Sequence, residues 1–179
     1  MPRGSALGIV LREHDGALVE FIDAVRGIRS IHWQQPMGPG RWSPAALTLH
    51  VIRAYEFGIT SARGSKGMAL RVPPVAAWVS GRFMLPVLLA FKRFPQGADA
   101  PPEVLPDLTE AELLSPEGAI ARLEDTARRA AEALCQPSAS AVVHAYFGSL
   151  PARQALRLLS AHTRHHARGL RLHLSATVA

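Results

Sequence analysis

Three of the chain's eight histidines fall within five residues: His162, His165 and His166 in "AHTRHHARG". On a helix, positions 162 and 166 differ by about 40° in direction and roughly one turn in height, so both imidazoles reach a common point. The two-histidine helices of zinc metalloproteases use this spacing. Here Thr163 follows the first histidine, so the glutamate base of that hydrolytic motif is missing and protease-like hydrolysis is disfavoured. The apolar stripe Ala155, Leu158, Leu159 runs onto His162, His166 and Leu170, which places the pair on the inward side of its helix. His165 is turned about 60° away, toward the rim.

Imidazoles on a core-facing stripe are costly unless hydrogen-bonded or coordinated, because each brings a donor and an acceptor. His50, between Leu47 and Ala54 on the apolar side of a second predicted helix, is a third candidate. Three histidines from two helices make a three-nitrogen metal site with an open position, suited to zinc, nickel or another divalent ion that accepts imidazole. The competing reading makes His50 an ordinary core histidine and the 162–166 cluster a cationic group stabilising a helix C-terminus. The placement of all three on apolar stripes favours the metal. His14, His32 and His173 read as surface or loop-packing residues.

Four stretches with a 3.6-residue apolar period must position these groups. They are Leu18 to Ile28, Leu47 to Phe57, Ile120 to Leu134, and Ala155 to Leu174. "WSP" offers Ser43 as N-cap and Pro44 at the first helical position; "SPEG" offers Ser115, Pro116 and a favourable Glu117 in the first turn. The fourth helix is expected to start near Pro151. No run of period-2 alternation is found, so no strand is expected. The economical architecture is all-α, a four-helix bundle forming a single domain over residues 1–179. Between helices two and three lies an apolar insertion. Its first half, about 75–93, is expected to be a buried or semi-buried helix kinked at Pro86. Its second half, "FPQGADAPPEVLPDLTE", is too proline-rich for a regular element and is expected to act as a cover.

The 72–91 stretch nearly reaches membrane-spanning length, but Arg82 and Pro86 interrupt it, and no membrane partner is expected. The start of the chain has too short an apolar run for a signal peptide. A single cysteine, Cys135, forbids an intrachain disulfide and suits a reducing cytoplasm. The formal charge is +6, yet the arginines are scattered among carboxylates and aromatics are few, so nucleic-acid binding ranks last.

Two stretches together resemble the DinB-like superfamily of helical bundles with a three-histidine metal centre. "RWSPAALTLHVI" (41–52) is similar to its tryptophan–serine entry to the second helix and the histidine that follows. "HAYFGSLPARQALRLLSAHTRHHARGLRLH" (144–173) is similar to its C-terminal block of a histidine, a glycine-marked turn and HxxxH. Ala145 stands where a proline is common, and Gly169 and Leu170 where a polar glutamine often follows. The resemblance implies His50, His162 and His166 as ligands of a divalent metal ion, zinc foremost. It also implies an up-down-down-up bundle that forms homodimers, with His144 marking the turn into the fourth helix. Relatives of this superfamily include thiol-dependent transferases and a mycothiol-dependent maleylpyruvate isomerase. The expected function is therefore a metal-dependent transferase or isomerase acting on a small molecule with a low-molecular-weight thiol. The cavity wall is expected from Trp42, Tyr55 and the insertion. The alternative is a non-catalytic bundle that binds a metal or ligand for stability or sensing.

Overall fold

The structure is a computed structural model that describes residues 6–91, 94 and 99–178. Four long helices dominate it: α1 (Ala6–Arg26), α2 (Pro44–Ala62), α6 (Pro116–Cys135) and α7 (Ala152–Val178). Between α2 and α6 lie α3 (Pro74–Val79), a π turn (Ser80–Met84), α4 (Leu85–Phe91), a 3₁₀ turn (Pro102–Val104) and α5 (Leu108–Glu112). The first of the long helices packs on α7 and α6, and α2 packs on the same two. A main core results, with Phe21, Leu49, Ile52, Leu123, Leu134 and Leu156 at its centre, beside a small second cluster of Ala54, Met68, Val104 and Ala145.

The helix starts follow the expected chemistry. Ser43 adopts an extended backbone and its hydroxyl accepts from the Ala46 N–H at 3.2 Å, with Pro44 opening α2. Ser115 does the same for Gly118 at 3.0 Å at the start of α6. The helix α7 begins at Ala152, directly after Pro151.

Two expectations are corrected, and a third gains detail. A short antiparallel hairpin exists, β1 (Val142–His144) paired with β2 (Gly148–Leu150), in register Val142 to Leu150. Gly148 closes its turn at φ +67°, a conformation that side chains disfavour. The proline-rich stretch is partly regular, because Asp107 caps α5 by accepting from the N–H groups of Thr109 and Glu110; its residues 95–98 lie outside the described residues. The irregularity in the apolar helix is the π turn that precedes Pro86. The Leu85 N–H reaches Ser80 O there, a wider turn just before the position where proline withholds its donor.

That helix, Pro74–Phe91, is more exposed than expected. Ala77, Leu85, Leu88 and Leu89 face inward, while most of its other side chains are exposed. It is long and apolar enough to cross a membrane by length and composition alone. Gly81 lets it approach the hairpin: a Cβ there would sit 2.4 Å from the Phe147 carbonyl oxygen.

Candidate metal centre

Helices α2 and α7 bring the three histidines together. The Nε2 atoms of His50 and His162 lie 3.1 Å apart, and those of His166 and His162 3.0 Å apart. One ligand atom from each ring falls within 4.8 Å of the others, so the group could hold a metal ion. His50 is buried, whereas His162 and His166 are half-buried and keep a side open to a cavity.

The proton arrangement at this cluster is constrained. The His50 Nδ1–H donates to the Val104 carbonyl at 2.7 Å, which leaves its Nε2 as a bare lone pair directed at the other two rings. A proton on His162 Nε2 can serve one neighbour well but not two. One of the two short nitrogen–nitrogen contacts therefore sets lone pair against lone pair, or hydrogen against hydrogen, unless a cation lies among them. The donor set fits a divalent ion for the same reason: three neutral nitrogens converge, and among the described residues no carboxylate joins the group. Burial holds His162 and His166 well below the ordinary histidine range, and the neighbouring imidazoles lower both further. Burial lowers His50 as well, only partly offset by the bond to Val104. Each ring is thus neutral near pH 7, the form that can coordinate.

The segment expected to act as a cover therefore does more. Val104, at the end of its 3₁₀ turn, orients the first candidate ligand. The relative height of the two ligand helices is set one residue from His162. Tyr55 is fully buried and its hydroxyl donates to Thr163 Oγ1 at 3.0 Å, while Thr163 donates to the Leu159 carbonyl at 2.9 Å. Burial raises the Tyr55 phenol to about 12, so it keeps its proton. Tyr55 was expected in the cavity wall; it lies in the core instead and positions α2 against α7. A ring of ion pairs adds to this frame. Glu56 bonds Arg53 and Arg122, and both arginines also bond Glu110, which joins α2, α5 and α6.

Beside the histidines lies a cavity of about 380 Å³, walled mainly by apolar side chains such as Trp42, Phe57, Met84, Phe94, Phe147 and Leu158. The Trp42 ring stands 4.9 Å from that of His50, and Phe94 contacts His162 and His165 at 5.8 and 5.4 Å. His165, expected at the rim, lines this cavity half-buried.

Two histidines depart from their sequence reading. His14 is buried in the core with its ring edge on Tyr55, because α1 begins earlier than its apolar stripe suggests and turns residue 14 inward. His144 does mark the hairpin turn, but it also lines the cavity. The Tyr146 N–H donates to its Nδ1 at 3.2 Å, so the neutral ring carries its proton on Nε2. It stacks on Phe147 at 4.9 Å, and burial pushes it down to about 4. The sequence signal that could have found it was its place in "HAYFG", a histidine among aromatics.

In comparison with known families, the model of the DinB superfamily matches residues 17–169. No curated protein and no solved structure matches the chain.

Proposed function

The chain belongs to the DinB superfamily, and from that premise we propose that it is a metal-dependent enzyme acting on a small molecule with a low-molecular-weight thiol, either a transferase in which the thiol displaces a leaving group or an isomerase that releases the thiol again. In this reading the four long helices form the family's up-down-down-up bundle, and His50, His162 and His166 hold a divalent ion, zinc foremost. The observation that carries it is the convergence of three neutral Nε2 atoms at the wall of a largely apolar cavity. A divalent ion held by three neutral imidazoles keeps its charge and so favours the anion of a thiol or water beside it.

The chain's own residues supply the rest. Val104 fixes the His50 tautomer, and Tyr55 with Thr163 fixes the spacing of the ligand helices. The apolar walls exclude water and take up a hydrocarbon or aromatic body. His144, with its Nδ1 occupied, offers an Nε2–H to an oxygen or sulfur of the bound molecule.

The test is thiol transfer to a soluble aromatic electrophile by metal-loaded protein, with a panel of thiols, for the native chain and His162→Ala. Turnover above background that disappears in the variant supports the proposal. If chelation lowers the melting temperature while no thiol gives turnover, the ion has a structural role and the catalytic reading is wrong.

A further inference from the structure

The apolar helix Pro74–Phe91 has one face against α7 and the hairpin, and the other face open. Val75, Trp78, Val79, Phe83, Val87 and Phe91 are exposed along it, with Trp78 at 64 %, Phe83 at 59 % and Phe91 at 72 %. Their three- and four-residue spacing gathers them into one stripe. Single exposed apolar residues need no explanation, but a continuous stripe containing three aromatics does.

The stretch of sequence that carries this stripe has charge of one sign only. Between Glu56 and Asp99 the sequence has Arg63, Lys66, Arg71, Arg82, Lys92 and Arg93, and no carboxylate. The chain's other fourteen cations equal its 14 carboxylates, so this segment carries the whole formal charge of +6. Arg82 stands within the stripe, 5.6 Å from the Phe83 ring, and Arg71 is exposed three residues before the helix. Lys92 and Arg93 follow the helix in the sequence.

We propose that this face docks on an anionic lipid surface, with the helix lying in the plane of the interface. Trp78, Phe83 and Phe91 enter the boundary between headgroups and acyl chains, and the exposed Arg71 and Arg82 meet the phosphates. A crossing orientation is ruled out by the inner face, where Ala77, Leu85, Leu88 and Leu89 are packed into the protein. A second copy is a poorer occupant. A two-fold contact sets the patch against itself, bringing two Arg82 side chains together with no carboxylate from this segment to pair them. Ser80 and Met84 of the same helix line the cavity, so docking sets a hydrocarbon phase against one of its walls.

The experiment is co-sedimentation of the full chain with vesicles of phosphatidylcholine mixed with phosphatidylglycerol, and with vesicles of phosphatidylcholine alone. Tryptophan emission, compared with that of Trp78→Phe so that Trp33 and Trp42 are accounted for, serves as a second readout. We expect binding to the anionic vesicles only, a blue shift, and release by salt. Arg82→Gln should weaken partitioning about fivefold, and Trp78→Ser with Phe83→Ser should abolish it with the helical circular dichroism unchanged. These exposed positions carry none of the core. Failure of the folded native chain to bind anionic vesicles overturns the proposal, as does equal binding to neutral ones or binding that survives the double substitution. A concentration-dependent dimer dissolved by that double substitution overturns it in favour of a second copy.

Discussion

His162 is the central residue of the cluster, with an Nε2 contact to each of the other two rings. Truncating it removes one nitrogen and separates the remaining pair, so His162→Ala should lose at least tenfold in zinc affinity by competition with a chromogenic chelator. His144→Phe keeps the ring stacked on Phe147 but deletes the Nε2–H. It should leave metal content unchanged while weakening binding of an aromatic thiol about fivefold to tenfold, the scale of one hydrogen bond. Unchanged thiol binding in that variant would remove His144 from the site. Tyr55→Phe keeps the packing and deletes one buried hydrogen bond, a cost of about 1 kcal/mol in urea unfolding. The convergence of residues 50, 162 and 166 was legible because helical spacing and apolar stripes place each ring on an inward face. The roles of His144 and Tyr55 were not, because each depends on a partner that only the tertiary fold supplies.

Helix α2 carries His50 seven residues from its cap, and the start of the helix rests on Ser43. Ser43→Ala should lower stability by about 1 kcal/mol without changing helix content, as read by chemical denaturation. Gly81 is a sharper test of the insertion. Any side chain there meets the Phe147 carbonyl oxygen, so Gly81→Ala must push the apolar helix off the hairpin. We expect a loss of about 1–3 kcal/mol and weaker binding of apolar probes in the cavity. Ser43 and Ser115 could be read from the sequence because capping is local chemistry. The hairpin could not, since strands of three residues are too short to show a period. The helix over 108–112 escaped notice for a related reason: its Asp107 cap lies among prolines that signal irregular chain.

Across the whole molecule, burial depresses His14, His50, His144, His162 and His166, so folding binds these rings in the neutral form. Their folded values lie below the unfolded value of 6.5, so the unfolded chain takes up more protons in acid. The stability they contribute is present above about pH 6.5 and is lost as pH falls through the folded values. The melting temperature of the metal-free protein should fall steadily from neutral pH toward pH 4, and a flat profile would contradict neutral burial. The most direct test of the account is elemental analysis of protein purified without a histidine tag or added metal. The account predicts near-stoichiometric divalent ion in the native chain and none in the His50→Ala, His162→Ala, His166→Ala triple variant. A well-folded native chain that neither contains such an ion nor takes one up on dialysis against zinc would contradict it.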